Sequence, residues 1–217
     1  IRLEIETPIG NIVVPGNMFK KHDLEDEEYV ELIIGLDDMA SVDENIRQQI
    51  GNRPVVELNA RIDGEIINWN NPDAHVTVSI PYTPTAEELS GPEHIVVWYI
   101  DGQGNVTSVP NGRYNPETGK VTFKTNHFSK YAIVFVKKTF SDIEDYSWAQ
   151  KQIEVLASKG IINGTSATTY SPGLYVTRAD FITLLTRALE IKADFSKNFD
   201  DVKSTDYYYN AIGVAKE

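Results

Sequence analysis

Residues 140–187 read FSDIEDYSWAQKQIEVLASKGIINGTSATTYSPGLYVTRADFITLLTR, and the C-terminal part of the chain is organised around this stretch. The spacing of its apolar residues predicts one helix over 148–159 and a second helix over 178–189. Gly160 occupies the position where helices commonly end in a left-handed glycine, and Gly164 supplies the same conformation for a tight loop. The stretch therefore predicts a helix–loop–helix unit.

Polar residues at the start of each helix predict N-terminal caps. Ser147 or Asp145 can cap the first helix, while Thr177 and Asp180 predict a capping box at the second, with Asp in place of the usual Glu. Apolar residues at helical spacing predict one buried face on each helix. These faces comprise Trp148, Ala149, Ile153 and Leu156 in the first helix and Phe181, Leu184, Leu185 and Ala188 in the second.

Part of this unit recurs further along the chain at a constant offset of 59 residues. The recurring positions keep their aromatic, acidic or aliphatic character, which is typical of a repeated module. Phe199-Asp200-Asp201-Val202 restates Phe140-Ser141-Asp142-Ile143, and Tyr207, Ile212 and Ala215 restate Trp148, Ile153 and Leu156. We expect the second copy to be truncated at Glu217 and the chain to be a fragment of a longer protein.

Residues 1–138 instead carry short alternating segments that are separated by turn residues. Asp63-Gly64 between two such segments predicts a hairpin with a type I′ turn, because this turn needs positive φ at both central residues. Short helices are expected after Asp43 and Thr85, which are good capping residues. Many short strands with regularly spaced turns predict an antiparallel β-sandwich.

These patterns divide the chain into three segments. We expect a multi-domain chain that is all-β plus all-α, with a β-sandwich-like module over 1–138, a first helix–loop–helix repeat over 139–198 and the start of a second repeat over 199–217.

Composition excludes several classes of protein. The 217 residues carry a formal net charge of −12 without a cluster of Lys and Arg, so we expect no nucleic-acid partner. No apolar run is long enough to cross a bilayer, so we expect no membrane span. The absence of cysteine fits either a cytosolic protein or an exported bacterial protein that does not rely on disulfides.

Five motifs in the last 79 residues, in order, resemble the S-layer homology repeat of bacterial cell-surface proteins. Asp180 departs from the Glu that is usual in that family, which keeps the charge and shortens the reach. Residues 76–133 also look like a β module that often precedes such repeats. The five motifs are Phe140-Ser141-Asp142, Trp148-Ala149, Gly160-Ile161-Ile162-Asn163-Gly164, Tyr170-Ser171-Pro172 and Thr177-Arg178-Ala179-Asp180.

The resemblance implies a non-catalytic anchoring role at the cell wall or S-layer of a Gram-positive bacterium, without a cofactor. Such repeats usually come in threes, pack into a trefoil-like helical spindle and bind pyruvylated secondary cell wall polysaccharide. The expected partners are therefore this polymer and further repeats, from the same protein or a neighbouring chain. Because the ligand grooves lie between repeats, we expect this fragment alone to bind weakly or not at all.

By the same resemblance, Arg178 pairs with the carboxylate of the pyruvate group and Trp148 stacks on a sugar face. The remaining candidate polysaccharide-binding residues are Asp142, Gly164, Thr177 and Asp180. Structural alternatives stay open for four of these six. Arg178 could pair with Asp142 or Asp201, Trp148 could fill the core, Asp142 could cap a loop, and Gly164 could serve a turn.

Two alternative functions also stay open. The fragment could be the C-terminal part of a secreted polysaccharide-degrading enzyme whose catalytic domain lies upstream. Alternatively, His127-Phe128-Ser129 resembles the self-cleavage site of certain β modules, in which His acts as base and Ser attacks the preceding carbonyl.

Other catalytic and metal-binding patterns are weaker. The four histidines lack metal-ligand spacing. Glu87, Glu88 and Glu93 could supply paired carboxylates for glycoside hydrolysis, although a solvated loop is the simpler interpretation. The acidic runs 23–28 and 37–38 could bind Ca²⁺ weakly, but they lack the ligand spacing and glycine of an EF-hand loop.

Overall fold

The computed structural model describes residues 2–20, 29–40 and 42–217. The chain folds as two compact units, Ile1–Val136 and Lys137–Glu217. The first unit is mostly β and the second contains helices and loops.

In its described part the first unit has two antiparallel sheets. The five-stranded sheet has the order β1-β2-β6-β10-β9, and the six-stranded sheet has the order β3-β4-β11-β7-β8 with β5 also paired to β4. The strands are β1 (Arg2–Glu6), β2 (Asn11–Pro15), β3 (Val30–Leu36), β4 (Val55–Ile62), β5 (Glu65–Ile67), β6 (Val76–Pro81), β7 (Ile95–Ile100), β8 (Val106–Val109), β9 (Arg113–Asn115), β10 (Lys120–Thr125) and β11 (Lys130–Phe135).

The two sheets contribute to one hydrophobic core. Ile12 and Val78 from the five-stranded sheet lie in the same buried cluster as Leu58 and Ile133 from the six-stranded sheet, around the fully buried Trp69. Alternation along the strands directs every second side chain into this core.

The six-stranded sheet buries its other face as well. Ala132 and Val134 of β11 belong to a second cluster with Ile50, the last residue of helix α1 (Glu44–Ile50). Because Tyr131 and Ile133 point into the first cluster, β11 is buried on both faces, which explains its nearly continuous apolar sequence.

Local predictions in this unit are confirmed. Asp63 and Gly64 have φ of 50° and 85° and join β4 to β5. The Asp43 side chain accepts from the Asn45 N–H at the start of α1. Thr85 forms a complete capping box with Glu88 at helix α2 (Ala86–Leu89).

Glu88 is a buried carboxylate at the centre of a polar network. Its Oε1 accepts from Arg53 Nε at 2.7 Å and from the Tyr82 hydroxyl at 2.8 Å, and its Oε2 accepts from the Thr85 N–H at 2.7 Å. Burial opposes ionisation, yet these hydrogen bonds leave the pKa of Glu88 below its ordinary value. Burial and the adjacent carboxylate raise the pKa of Tyr82 to about 12, so the tyrosine remains a donor.

In the second unit the regular elements are α-helices and one 3₁₀ turn, Glu144–Tyr146. The α-helices are α3 (Ser147–Ser158), α4 (Arg178–Ala188) and α5 (Tyr209–Lys216). Phe140, Ile143 and Ile153 form the centre of its buried cluster together with Ala157 and the pair Ile161-Ile162. Gly160, with φ of 69°, follows α3 as predicted.

Two predictions for the second unit are wrong in part. Helix α3 is capped by Tyr146 without a side-chain hydrogen bond, so neither Ser147 nor Asp145 serves as the cap. The predicted buried faces are also largely exposed: Trp148 is 80% exposed and Phe181 is 59% exposed. Among the remaining predicted face residues Leu156, Leu185 and Ala188 are exposed, Leu184 and Ala149 are partly buried, and Ile153 is buried.

Threonines take the buried positions of α4. Thr183 and Thr186 are 4% and 8% exposed, and their hydroxyls donate to the carbonyl oxygens of Ala179 and Ile182 at 2.8 and 3.0 Å. Each hydroxyl finds its partner one turn earlier in the same helix, so burial leaves no unpaired polar atom.

Helix α5 packs against α4 and the segment that joins them. The Asn198 side chain donates to the Tyr209 carbonyl oxygen at 2.7 Å, and the Phe195 and Tyr209 rings lie 5.6 Å apart. A Cβ at Gly213 would lie 2.3 Å from the Phe195 ring, so glycine is required where the linking segment crosses α5.

In the described ranges, none of the helices has both the length and the hydropathy that a bilayer crossing requires.

Candidate functional site

A shallow depression of about 350 Å³ lies at the N-terminus of α4. The preceding loop and the first turns of the helix form its wall, which is apolar except for one hydroxyl and one guanidinium. The lining residues are Val176, Thr177, Arg178, Phe181 and Ile182.

The first turn of α4 is held by the predicted capping box. Thr177 Oγ1 accepts from the Asp180 N–H at 3.0 Å, and Asp180 Oδ2 accepts from the Thr177 N–H at 3.0 Å and from its hydroxyl at 2.6 Å. Asp180 therefore caps this helix despite its shorter side chain.

The other oxygen of Asp180 is also occupied. The Tyr207 hydroxyl donates to Asp180 Oδ1 across 27 residues of sequence. The hydrogen bonds from the Thr177 side chain and from Tyr207 hold the pKa of Asp180 below its ordinary value. The hydrogen bond between Asp180 and Tyr207 also raises the pKa of Tyr207. Asp180 is thus a carboxylate with both oxygens engaged, so it holds the turn in place.

Arg178 occupies the first position of α4 and is exposed. Within 2–20, 29–40 and 42–217 its guanidinium has no ion pair, and neither Asp142 nor Asp201 is its partner. The structural alternative for Arg178 therefore finds no support. A planar cation that is unpaired beside an apolar depression is suited to a carboxylate ligand.

Asp142 holds the loop between α3 and α4. Its Oδ1 accepts from the Tyr170 N–H at 2.8 Å and its Oδ2 accepts from the Ser171 N–H at 2.7 Å. These bonds, the Tyr170 N–H first among them, lower the pKa of Asp142. Asp142 is therefore a loop cap, and a role as direct ligand would require it to exchange these partners.

Gly164 also has a structural role in this loop. Its φ is 79°, and a Cβ would lie 2.5 Å from both Phe140 Cε1 and the Thr169 carbonyl oxygen. The residue fits a left-handed turn packed tightly over the buried Phe140.

The six predicted site residues thus fall into three places. Thr177, Arg178 and Asp180 meet in the first turn of α4, while Asp142 and Gly164 stabilise the loop before it. Trp148 stands exposed on α3 and is not among the residues that line the depression. Sequence reasoning missed the contact between Tyr207 and the capping residue Asp180. The alignment of Tyr207 with Trp148 at the 59-residue offset marked the residue but not its partner.

The tripeptide 127–129 lacks the geometry of a self-cleavage site. Ser129 Oγ donates to the Ile100 carbonyl oxygen at 3.1 Å. The two ring nitrogens of His127 lie 3.3 Å from the Tyr131 hydroxyl and 3.2 Å from Asn126 Oδ1. The hydrogen bond between nucleophile and base that such chemistry requires is not formed.

Glycoside hydrolysis by the predicted carboxylates also finds no support. Both oxygens of Glu88 are occupied within the buried network, whereas Glu87 and Glu93 are exposed. Two catalytic carboxylates must flank one scissile bond, and a carboxylate enclosed by Arg53 and Tyr82 cannot reach it.

The part of the chain that the structure describes holds no group of three His, Asp or Glu side chains arranged for a metal ion. Of the acidic runs, 23–28 lies outside the described residues. Asp37 is paired with Lys130 at 2.6 Å.

Residues 139–182 match the family model of the S-layer homology domain. The chain therefore contains such a domain, which is a binding and anchoring module. The matched residues fall within the same part of the chain as the helix–loop–helix motifs.

Relatives extend the comparison beyond the domain. The chain is 40% identical over 144 residues to an amylopullulanase of Thermoanaerobacterium thermosulfurigenes, which covers 65% of this chain and 8% of the relative. It is 49% identical over 78 residues to endo-1,4-beta-xylanase A of Thermoanaerobacterium saccharolyticum, covering 36% of this chain and 7% of the relative. It is 32% identical over 111 residues to a cellulosome-anchoring protein of Acetivibrio thermocellus, covering 45% of this chain and 24% of the relative.

The chain thus spans about a quarter or less of the length of these relatives. No solved structure matches it significantly. The domain and the relatives indicate a location at the cell surface, associated with the cell wall.

Proposed function

We propose that this chain anchors a larger protein non-covalently to the cell wall of a Gram-positive bacterium. Its helical repeats, over 139–198 and 199–217, bind pyruvylated secondary cell wall polysaccharide, and residues 1–138 form a β-sandwich spacer without catalytic activity. The domain match over 139–182 and the cell-surface relatives support the anchoring role.

The observation that carries the proposal is the exposed guanidinium of Arg178, which is unpaired within the described residues and borders an apolar depression. A ketal-linked pyruvate offers one carboxylate that this guanidinium can bind through two parallel hydrogen bonds. The methyl group of the pyruvate and the sugar ring can then contact the apolar wall formed by Val176 and Phe181.

The exposed apolar surface of the second unit supports further repeats as partners. The side chains of Tyr175, Phe181 and Leu189 are 99%, 59% and 61% exposed, and Leu174 and Val176 are exposed beside them. A soluble protein rarely leaves so many neighbouring large apolar side chains in water. Further S-layer homology repeats, from the same protein or a neighbouring chain, would cover this surface.

A sedimentation assay with purified Gram-positive cell walls tests the proposal. Arg178→Ala should weaken binding by roughly 10- to 100-fold, because a lost charge-assisted hydrogen bond costs about 1.5–3 kcal/mol. Arg187→Ala is the matched control, since it removes the same charge from the last turn of the same helix.

Cell walls from which mild acid has removed the pyruvate form the second arm of this assay. They should bind the unsubstituted chain as weakly as intact walls bind the Arg178→Ala chain. Equal binding by the Arg178→Ala and Arg187→Ala chains would overturn the role of Arg178. Equal binding to treated and intact walls would overturn the role of pyruvate.

A second candidate is the C-terminal anchoring part of a secreted polysaccharide-degrading enzyme. It is favoured by the names of two relatives, an amylopullulanase and a xylanase, which the chain matches over only a small share of their lengths. The coding sequence upstream of residue 1 decides between the candidates. A glycoside hydrolase domain there would support the enzyme, and a long array of non-catalytic modules would exclude it.

A further inference from the structure

The chain contains two Asn-Gly pairs, and the structure places them in different surroundings. Asn111-Gly112 directly precedes β9, and Asn163-Gly164 lies in the loop after α3. In such a pair the glycine has no Cβ to hinder the approach of its backbone nitrogen to the asparagine side chain. The pair therefore holds a nucleophile, the glycine nitrogen, beside an electrophile, the side-chain amide carbon.

Hydrogen bonds restrain both residues of the first pair. Asn111 Oδ1 accepts from the Lys124 N–H at 2.6 Å, and Asn111 Nδ2 donates to the Lys124 carbonyl oxygen at 3.0 Å. The Gly112 N–H donates to the Val109 carbonyl oxygen at 3.0 Å, and Gly112 is buried. The side chain and the attacking nitrogen are both occupied, so a reaction between them requires this segment to open locally.

The second pair lacks such restraints. Asn163 is exposed, and both residues lie outside regular secondary structure. Across 2–20, 29–40 and 42–217, no hydrogen bond is formed by the Asn163 side chain or by the Gly164 N–H. The Asn163 side chain is therefore free to rotate toward the Gly164 nitrogen, which has no competing acceptor for its proton.

We infer that Asn163 is a site of spontaneous covalent modification by deamidation, and that the product loosens the loop before α4. The Gly164 nitrogen forms a bond to Asn163 Cγ and gives up its proton. The bond from Cγ to the side-chain nitrogen breaks, and this nitrogen leaves with that proton as ammonia. Water then opens the resulting five-membered imide. Hydrolysis at the side-chain carbonyl gives aspartate, and hydrolysis at the main-chain carbonyl gives isoaspartate.

The consequence for the loop follows from how its backbone is held on either side of Asn163. Ile162 is 4% exposed within the buried cluster of the second unit. Gly164 packs so closely over Phe140 that even a Cβ would lie 2.5 Å from the ring. Isoaspartate carries the main chain through its side-chain carbon and so inserts an extra atom between these two packed residues. A close-packed interior resists such an insertion, so the loop must shift.

Peptide mass mapping of the full 217-residue chain during storage in mildly alkaline buffer tests the modification. The peptide that contains Asn163 should become about one mass unit heavier as the amide is replaced by a carboxyl group. This change should be at least about tenfold faster at Asn163 than at Asn111, because Asn111 must first break its hydrogen bonds. In urea, where both pairs lose their folded contacts, the two rates should agree within about threefold.

Two variants separate the effect of the longer backbone from that of the new charge. Asn163→Gln should stay unmodified over the same period, because its longer side chain would have to close a larger ring. Asn163→Asp introduces the charge without the extra backbone atom. Amide exchange in the loop should be faster in the stored unsubstituted chain than in the fresh chain, whereas stored Asn163→Gln and fresh Asn163→Asp should exchange like the fresh chain.

The results that would overturn this inference are distinct for its two parts. Equal rates at Asn163 and Asn111 in the folded chain, or no mass gain at Asn163 while the chain in urea reacts, would exclude the modification site. A mass gain with isoaspartate at Asn163 but unchanged amide exchange would exclude the effect on the loop. None of these measurements depends on the polysaccharide, so the proposed function stands or falls separately.

Discussion

Replacing the buried carboxylate of Glu88 by the amide Glu88→Gln should destabilise the first unit strongly. The side chain of Glu88 is 2% exposed, and its two oxygens accept three hydrogen bonds, from Arg53, Tyr82 and the Thr85 N–H. Glutamine offers only one acceptor oxygen. Its NH₂ group must therefore face at least one of these donors.

The expected loss in the free energy of unfolding depends on how exposed the hydrogen-bond partners of Glu88 are. Breaking a fully buried ion pair by removing one charge costs about 3–5 kcal/mol. The Arg53 side chain remains 24% exposed, so water screens part of its unpaired charge and lowers this cost. Loss of the capping-box bond at Thr85 adds about 1 kcal/mol. We expect a total of about 3 kcal/mol, which lowers the melting temperature of this unit by roughly 9–12 °C.

Tryptophan fluorescence during urea unfolding can measure this change in the first unit. Trp69 is fully buried and Trp98 is partly buried there, whereas Trp148 of the second unit is already 80% exposed and changes its environment little. Glu87→Gln is the matched control, because Glu87 is exposed on the same short helix. Its effect should stay within about 0.5 kcal/mol.

The pH dependence provides an independent check. The pKa of Glu88 lies below its ordinary value in the folded chain, so its stabilising contribution is present above about pH 4.5 and is lost as the pH falls through the folded pKa. The difference between the unsubstituted chain and Glu88→Gln should therefore shrink in acid. A difference below 1 kcal/mol at pH 7, or one that grows as the pH falls, would refute the reasoning.

Three further predictions concern the loops and the integrity of the chain. Gly164→Ala should destabilise the second unit by about 2–4 kcal/mol in thermal melting, because the new Cβ would collide with Phe140 and the φ of 79° disfavours alanine. Gly102→Ala is the control and should be nearly neutral, because a Cβ there meets no atom within 4 Å. Asp142→Asn should loosen the loop before α4, which would be seen as faster amide exchange of that loop, and equal exchange rates at pH 7 would contradict this. The slower exchange that Asp142 provides should be lost as the pH falls below about 3.8, because the pKa of Asp142 is lowered in the folded chain. Intact-mass spectrometry should find one full-length species, because the Ser129 hydroxyl is bonded to the Ile100 carbonyl oxygen and lacks a base. Two complementary fragments would show that the chain cleaves itself despite this contact.

Local features of the fold could be predicted well from sequence. The type I′ turn at Asp63-Gly64 and the capping boxes that begin at Thr85 and Thr177 depend on residues at most three positions apart. Gly160, which follows α3, could be predicted from its immediate neighbours in the same way. Such interactions are decided before any tertiary contact forms, so the sequence pattern is sufficient to identify them.

The buried faces of the helices could not be predicted in the same way. Periodicity assigned Phe181 to the core and ignored Thr183, yet Thr183 is buried and Phe181 is exposed. A threonine becomes compatible with burial because its hydroxyl bonds to the helix backbone. Hydrophobicity alone therefore does not indicate which face of an amphipathic helix has a partner.

The candidate site likewise combines features that local sequence predicts with one that only the folded unit shows. Sequence motifs identified Thr177, Arg178 and Asp180, whose mutual placement is a property of one helical turn. They also selected Trp148 as the aromatic partner of the ligand. The hydrogen bond between Tyr207 and Asp180 became visible only in the folded unit, because it spans 27 residues.

By itself, the sequence determined the turn at Asp63-Gly64, the caps of α1, α2 and α4, the 59-residue repetition and the presence of an arginine at the start of α4. Each of these follows from neighbouring residues or from comparing the chain with itself. The tertiary structure alone decided that Arg178 has no carboxylate partner among the described residues, that Asp142 is occupied by the Tyr170 and Ser171 N–H groups, and that Tyr207 meets the first turn of α4. These facts depend on which distant segments pack together, and packing is set by the whole fold.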